Sequence, residues 1–429
     1  MKKVVVVGSG AGGATVAREL VGRYEVTVLE AGKEFRPFAH SLHLPERAKR
    51  LRLLLDERET PLLFPAMRVG KATDGMVLVR GQGTGGTTTI GTGNAAELDR
   101  GLRALGIDLA DEFAELRREI PITTDHRRAW RAATQRTYQV CDEMKLGPAP
   151  LPKMGEHGHC RSCGRCIFGC PFAVKWDSRQ FLKDARTRGA ELLTGWRVRS
   201  VVLQGDDAIG VEATSGLRGR FFPADVVVLA AGGLGTPRIL EASGVACEPR
   251  LFVDPVLCVA APWPDAHQNE ELAMPFFVER DHYMIAPYFD NLSYFFNRAW
   301  SPPAPDTLSL MIKLADSASG SVGSRGRARK ALTDDDRRHL ADAVELCTQI
   351  FERLGVSREK LFLGTMNAGH PGGTVPLTAG DAATMHPARL PGNVWVADAS
   401  LFPESPGGPP SLTIMAMAKR VGRRIAEAH

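Results

Sequence analysis

The stretch Val4-Val5-Val6-Val7-Gly8-Ser9-Gly10-Ala11-Gly12-Gly13, read together with Glu30, decides the fold of this chain. Val4 to Val7 is a continuous β-branched run, which favours a buried strand. Ala11 to Val21 has helical character and Glu25 to Leu29 reads as a second strand, so the chain opens with a βαβ unit. At the strand-to-helix turn Gly8 permits the tight bend, Gly10 lets backbone approach a pyrophosphate, and Gly13 allows the helix to sit close on the strand. The phosphates then meet the positive end of that helix. Glu30 ends the second strand about 20 residues on, where a carboxylate accepts hydrogen bonds from a ribose. A glycine turn alone does not separate NAD from FAD. Three further segments, 81–94, 225–235 and 393 to the end, each join a strand or loop to small residues that admit close backbone approach, as the walls of an extended cofactor require.

With 429 residues, 44% of them hydrophobic and 24% charged, the chain is long enough for two intimate domains. The net charge of +5 comes from cations scattered along the whole length, without the basic stripe or tail of a nucleic-acid binder. The apolar run after Lys2 and Lys3 is too short for a signal peptide, and no stretch approaches the ~20 apolar residues of a membrane helix. No transmembrane segment, no nucleic-acid partner and a cytoplasmic location are expected.

Cysteine usage is uneven: Cys160, Cys163, Cys166 and Cys170 stand together, while Cys141, Cys247, Cys258 and Cys347 are far apart. Such clustering points to metal binding rather than disulfides. The run Cys160-x2-Cys163-x2-Cys166-x3-Cys170-Pro171 matches the bacterial ferredoxin pattern for a [4Fe-4S] cluster. A structural zinc site more often uses two separated Cys-x2-Cys knuckles. Cys170 completes the set most simply, with Cys247, Cys258 or His159 as alternatives for the fourth ligand. A flavin accepts two electrons with a hydride whereas a cluster passes one at a time, so a cluster beside a flavin is an electron outlet. Arg161, Arg165, Lys175 and Arg179 flank the run, either to steer an acidic carrier or as ordinary solvated charges.

Between these motifs the leucines and basic residues from Leu42 to Leu62 suggest an amphipathic helix, and helices are expected over Asp108 to Arg118 and Asp125 to Leu146, the latter ended by Gly147. Val198 to Leu203 and Asp225 to Leu229 read as strands, and Asp254 to Leu314 as a mostly antiparallel sheet. Thr333 and Asp336 form a capping box for a helix running to Leu354, and Val394 to Val396 is a strand before a closing helix from about Leu412. Cys141 and Cys347 fall on apolar helix faces and are expected in the core.

Arg80-Gly81-Gln82-Gly83-Thr84-Gly85-Gly86-Thr87-Thr88, Ala230-Ala231-Gly232-Gly233-Leu234-Gly235-Thr236-Pro237, and Val396-Ala397-Asp398-Ala399-Ser400-Leu401-Phe402-Pro403 followed by Ser411-Leu412-Thr413-Ile414 together resemble the signatures of the glucose-methanol-choline family of FAD oxidoreductases. The likeness spans nearly the whole chain. It implies an α/β fold: a Rossmann-like FAD-binding domain assembled from residues 1–100, 190–248 and 385–429, and a second α+β substrate domain on a mostly antiparallel sheet, residues 249–384, trimmed relative to the family. Residues 101–189 form the helical and iron-sulfur segment. By the resemblance, Arg80, Gly85, Gly86, Thr87, Thr88 and Asn94 belong to the segment against the pyrophosphate and flavin, Ala231 and Gly232 to a second wall, Asp398 lies near the pyrophosphate or ribityl chain, and Val198 near the adenine.

His370, in Gly369-His370-Pro371-Gly372-Gly373-Thr374, corresponds to the family's active-site histidine, which accepts the hydroxyl proton as hydride leaves for the flavin. Histidine suits a base whose pKa must lie near the working pH. One departure matters: where the family places a second active-site Asn or His, this chain has Pro409, which offers neither a side-chain donor nor an N–H. Asn94, Thr413, His282 and Tyr283 are candidates for the missing contact. Phe276, Phe277, Tyr283, Met284, Tyr288, Phe289, Tyr294, Phe295 and Phe296 supply a candidate apolar substrate wall, or plain core. The leading expectation is an FAD-dependent dehydrogenase that oxidises an alcohol and passes electrons through the [4Fe-4S] cluster to a ferredoxin-like or other one-electron acceptor. The alternatives are a ferredoxin-driven reductase of a ketone or C=C bond, and a non-catalytic flavin and iron-sulfur electron-transfer subunit.

Overall fold

Four consecutive valines offer no polar face to water, and the strand Lys3–Val7 lies with Val4 to Val7 at most 4% exposed at the centre of a parallel sheet. A computed structural model gives the structure of residues 1–38, 42–54, 56–323 and 326–429. The sheet runs in the order Val394–Val396, Val226–Leu229, Lys3–Val7, Glu25–Glu30, Glu191–Thr194, all neighbours parallel. Strands buried on both faces read as unbroken apolar runs, as residues 4–7, Val226–Leu229 and Val394–Val396 do. Helix Ala11–Leu20 packs against the closing helix Ser411–Ala428 and against Arg179–Thr187. The first and last segments of the chain therefore share one core, which also draws on Leu412, Met415 and Val421.

A three-stranded antiparallel sheet, Arg197–Gln204, Asp207–Ser215 and Arg218–Pro223, stands beside this layer. The second main layer is a larger sheet in which Pro255–Pro262, Thr307–Leu314, Tyr283–Pro287 and Phe276–Glu279 are successive antiparallel neighbours. Helix Asp334–Arg353 packs on it, with Thr333 and Asp336 exchanging both bonds of the expected capping box. Cys141 and Cys347 are both buried in that core. This is the fold class expected from the sequence: a Rossmann-like domain with a second, sheet-based domain. No helix among the described residues is long and apolar enough to cross a membrane.

Three local expectations were too long or too regular. The segment 42–62 is not one helix but His43–Arg50, a short 3-10 turn Glu57–Glu59 and Thr60–Leu63, with Leu55 outside the described residues. The helix expected over Asp125 to Leu146 is broken into Asp125–Ala129 and Ala132–Glu143. At the break Trp130 is extended, its indole donates to His126 Nδ1 at 3.1 Å, and the Arg131 N–H is claimed by Glu271 at 2.8 Å. The residue that takes the left-handed conformation just past the helix end is Lys145 (φ 55°), ahead of Gly147 (φ 66°). The antiparallel region also holds a short helix, Asn291–Phe296, capped by Asp290.

Candidate active site

An elongated cavity of about 290 Å³ runs past the carboxyl ends of the central parallel strands, where Val7, Leu29, Glu30 and Ala230 line it. This is the crevice in which open α/β sheets bind dinucleotides. Gly8, Gly10, Glu30, Arg80, Gly86, Thr87, Thr88, Val198, Ala231, Gly232, His370 and Asp398 all line it. Gly8 has φ 100°, and a Cβ there would sit 2.4 Å from Ala230 O. Gly13 is set back from the cavity, where a Cβ would lie 2.0 Å from Gly8 O, so it closes helix on turn as the motif requires. Gly85 also stands behind the wall: its carbonyl accepts from Thr88 Oγ1 at 2.6 Å and Ser178 Oγ at 3.0 Å, fixing the turn Gly86–Thr89.

Glu30 accepts from Ser9 N at 3.2 Å, Ser9 Oγ at 2.6 Å and Gly32 N at 2.7 Å. A carboxylate has about four lone-pair sites, so a hydroxyl partner can still be accommodated. Asp398 is similarly anchored, accepting from Gly232 N at 2.8 Å, Thr236 Oγ1 at 2.5 Å and Ser400 N at 2.8 Å, while burial pushes its pKa up. Three guanidinium groups, Arg80, Arg197 and Arg238, line the same cavity and make no ion pair or side-chain hydrogen bond among the described residues. Burial, then repulsion from neighbouring guanidinium groups that include Arg68 and Arg199, lowers the pKa of each, with Glu30 opposing this at Arg197. Three unpartnered cations beside a helix N-terminus fit a pyrophosphate, whose charges would relieve that repulsion. Arg197 and Arg238 were not singled out in the sequence, because a lone arginine in a strand or helix carries no motif.

A second, apolar cavity of about 180 Å³ adjoins the first, and Thr87, Thr88, Gly369, His370 and Ser411 line both. His370 thus stands at the junction. Of the aromatic residues expected as a substrate wall, Tyr288, Phe295 and Phe296 line the cavity. Phe276 is core against Trp130 and Tyr138, and Phe289 and Tyr294 pack on Trp300 and Phe295. The remaining wall is drawn from Phe64, Phe168 and the methionines Met67, Met154, Met274 and Met311, which come from four separate stretches of chain. Asn94 lines this cavity rather than the elongated one, and its side chain bonds Lys153 Nζ and Met274 Sδ. Of the other candidates for the polar group that Pro409 does not supply, Thr413 accepts from Leu98 N, and His282 stacks on His339 with ring centroids 3.8 Å apart. Neither they nor Tyr283 line the cavity.

What the sequence reading missed is Asp254 and Lys313. Asp254 is fully buried with φ 51°, and its carboxylate accepts from Ser405 Oγ and from Gly407 N at 3.1 Å. Lys313 Nζ lies 3.2 Å from Asp254 Oδ2, and His370 Nδ1 lies 3.6 Å from the same oxygen. The latter is an electrostatic contact, longer than a hydrogen bond. Burial opposes the Asp254 charge, yet Lys313, His370 and Ser405 together hold its pKa below the ordinary range. Burial, then Lys313, lowers the pKa of His370 against the pull of Asp254. Burial and Lys313 thus favour the neutral ring, whose Nδ1 faces Asp254. The available signal was a single lysine in the otherwise uncharged strand Thr307–Leu314, every residue of which is buried.

The cysteine run folds as a loop around a small cavity lined by Cys160, Cys163, Cys166 and Cys170 with His157 and Lys175. Among the described residues no three His, Cys, Asp or Glu side chains stand close enough to hold a metal ion as they are. Cys170 shares this cavity; Cys247, whose Sγ lies 3.8 Å from Pro237 O, and Cys258, buried in strand Pro255–Pro262, do not. Ile167 and Phe168, inside the loop, form part of the wall of the apolar cavity. Lys175 is buried, so it does not meet a carrier at the surface: its ammonium donates to Thr89 O at 2.7 Å, Gly91 O at 2.6 Å and Cys166 O at 3.1 Å, tying the cysteine loop to the Gly86–Thr89 turn. Lys153, 0% exposed, donates to Asn94 Oδ1 and to Ala273 O, and burial lowers its pKa to about 7. Arg179 is paired with Asp177 at 2.8 Å, and Arg161 lies over the Phe172 ring.

Residues 3–257 match the N-terminal family model of GMC oxidoreductases and residues 325–418 the C-terminal one. An uncharacterized protein of Methanocaldococcus jannaschii is 25% identical over 433 residues, covering 99% of this chain and 100% of its own. An uncharacterized GMC-type oxidoreductase of Mycobacterium tuberculosis is 29% identical over 489 residues, covering 97% of this chain and 74% of its own length. Among solved structures, pyridoxine 4-oxidase from Mesorbium loti superposes with a TM-score of 0.75 over 100% of both chains at 18% identity, a likeness of fold.

Proposed function

The chain belongs to the GMC oxidoreductase family of FAD enzymes, and from that premise we propose that it is a dehydrogenase that oxidises an alcohol and releases the electrons singly through a [4Fe-4S] cluster held by Cys160, Cys163, Cys166 and Cys170. Bound FAD supplies a two-electron acceptor for the hydride of the carbinol carbon. The Gly8 to Gly13 turn and helix Ala11–Leu20 receive the pyrophosphate, Arg80, Arg197 and Arg238 neutralise it, and Glu30 takes the ribose hydroxyls. The apolar cavity takes the hydrocarbon part of the substrate and excludes water from the reacting end. His370 Nε2 accepts the hydroxyl proton, and Asp254 holds the ring by its Nδ1 side. Residues 1–100, 190–248 and 385–429 serve the cofactor, 101–189 the cluster, and 249–384 the substrate.

The observation that carries the cluster is the pair of buried lysines beside the four thiols. Lys153 and Lys175 are 0% and 4% exposed, and neither makes an ion pair with a carboxylate among the described residues. An unpaired buried ammonium costs several kcal/mol. Burial pushes the Cys160 and Cys166 thiols up, so uncharged thiols do little for the lysines; carrying charge, Cys160 and Cys166 raise the Lys153 pKa, and Cys166, Asp177 and Cys170 raise that of Lys175. A thiolate-ligated cluster, negatively charged as a whole, balances both lysines; four neutral thiols do not. The loop's Ile167 and Phe168 bring it against the reacting cavity, where a one-electron outlet is useful. A solvent-borne one-electron acceptor, ferredoxin-like in kind, then completes turnover.

The test is anaerobic. The purified holoenzyme is mixed with a panel of apolar primary and secondary alcohols, and the flavin band is followed, then the reduction of a one-electron dye. Bleaching by an alcohol followed by dye reduction supports the reading. Bleaching only by a reduced one-electron carrier, with reoxidation by ketones or enones, establishes the reductive direction instead. Bleaching by neither refutes catalysis at this site.

A further inference from the structure

Pro409 leaves the reacting end of the apolar cavity without the polar group that would face the substrate oxygen from the start of the closing helix, so His370 needs a partner from elsewhere. We propose that Lys313 is that partner: its ammonium holds the oxygen of the substrate alcohol while His370 removes the proton. The proposal rests on the alcohol-oxidising reading above.

Lys313 is carried by the strand Thr307–Leu314 in register with Val256 on one neighbour and Met284 on the other. It is the one charged residue of that strand, and it lines the same cavity as His370, Asn367 and Pro409. An ammonium has three N–H donors. Here one hydrogen bond goes to Asp254 O at 3.2 Å, and Asp254 Oδ2 lies 3.2 Å away as an ion-pair contact without hydrogen-bond geometry, with no further partner among the described residues. An N–H donor is available to a ligand oxygen. Asp254 is what fixes the arrangement. It sits in the left-handed region at φ 51°, a conformation that persists in a non-glycine residue where surroundings over-determine it. Its determinants are Ser405 and Gly407, from the same loop that carries Pro409. The loop whose proline offers no donor thus clamps a carboxylate, and the carboxylate holds a lysine and the histidine on its two sides.

The charges and the chemistry balance. At rest Lys313 and Asp254 cancel and His370 is neutral. In the reaction the O–H and C–H bonds break and the C=O bond forms. The proton goes to His370 Nε2, and the C–H electron pair departs with its hydrogen to FAD, which is reduced by two electrons. Negative charge that builds on the oxygen as its proton leaves is met by the Lys313 ammonium, a preorganised donor in a water-poor site.

Benzoate, a planar apolar body ending in an anionic oxygen pair, is the probe. It is titrated into oxidised wild-type holoenzyme and into Lys313→Met, Lys313→Gln and Lys313→Arg, with the flavin absorption band as readout. In parallel the His370 imidazole is titrated by NMR of histidine-labelled protein, assigned with His370→Asn. Lys313 and Asp254 are the charged groups that act on that ring. The expected result is that wild type and Lys313→Arg bind benzoate, that Lys313→Met and Lys313→Gln bind at least about tenfold more weakly, as loss of a charge-assisted hydrogen bond dictates, and that the His370 pKa rises by about one unit in both and not in the arginine variant. Benzoate that fails to bind wild type, or binds Lys313→Met equally well, overturns the proposal. If Lys313→Met does not retain FAD, the glutamine variant carries the comparison, and failure of both with a sound arginine variant assigns Lys313 a purely structural role, which also overturns it. The two readings fail separately: alcohols that bleach wild type and Lys313→Gln at the same rate refute the lysine alone, whereas an intact benzoate series with no alcohol active refutes the alcohol reading alone.

Discussion

Substituting Asn for Asp254 isolates the buried charge network at the reacting end. The side chain keeps its shape, and Asn tolerates the left-handed backbone at φ 51° at least as well as Asp, so backbone strain does not confound the result. What changes is charge. Lys313 has a side chain only 2% exposed and Asp254 as its ion-pair partner. Removing one partner of a buried pair costs about 3–5 kcal/mol because the other charge stays buried and uncompensated. With an unfolding entropy of about 2.1 cal/mol/K per residue, that loss lowers the midpoint of the 429-residue chain by about 3–6 °C. Pairing the change with Lys313→Met removes both charges, and most of the stability returns. Activity does not return with it. Without the carboxylate the imidazole loses both its orienter and the charge that raises its pKa, so alcohol-driven flavin reduction slows by about a hundredfold or more. The pH profile gives the sign. In the wild type, burial and Lys313 hold the His370 pKa below 6.5, so the acid limb of flavin reduction lies below that value and activity is lost as pH falls through it. In Asp254→Asn the limb moves further down while the plateau drops. Calorimetry at neutral pH and anaerobic stopped-flow bleaching provide the two readouts. A midpoint within about 1 °C of wild type, with no recovery in the double variant, would show that the pair is not a buried ion pair; an unchanged plateau rate would refute the role of Asp254 in aiming His370.

Two perturbations probe the cofactor crevice and one the cysteine loop. Gly13→Ala places a Cβ 2.0 Å from Gly8 O, forcing helix from turn, and is expected to yield protein purified largely without flavin; a normal ratio of flavin to protein absorbance contradicts this. Arg238→Ala removes one of three unpartnered cations, and its FAD dissociation constant, read by flavin fluorescence, should rise about tenfold, less so at high salt. Lys175→Met deletes a cation bonded to the Cys166 carbonyl and is expected to make the cluster harder to reduce, on the order of 60 mV more negative for a tenfold effect in a one-electron couple, measured by redox titration with EPR detection.

The parts legible in the sequence are those in which backbone does the work. Gly8 and Gly13 are glycine because a carbonyl occupies the space of their Cβ, and Val4 to Val7 can only be buried, so the opening βαβ unit follows from the residues themselves. The capping box at Thr333 and Asp336 is local and was readable for the same reason. The cysteine run was readable as a run, and its convergence on one cavity is a consequence of short spacing. What escaped depends on partners distant in sequence. Lys313 acquires meaning only from Asp254, 59 residues away, and Arg131 breaks a helix because Glu271, 140 residues on, takes its N–H. The aromatic residues were left open between wall and core because strand and helix neighbours decide which ring faces a cavity: Phe295 and Phe296 do, Phe276 does not. Methionines from separate stretches of chain, Met67, Met154 and Met311 in strands and Met274 in a loop, complete the wall without any pattern along the chain.

The pairing of a flavin with an iron-sulfur outlet is tested by counting. Holoenzyme purified without oxygen is denatured, and flavin, iron and acid-labile sulfide are each quantified per chain. One FAD with about four iron and about four sulfide atoms is the expected result, with iron and sulfide lost and FAD kept when Cys160, Cys163, Cys166 and Cys170 are all changed to Ser. FAD present with no sulfide, or iron retained in the quadruple variant, contradicts a cluster held by these cysteines.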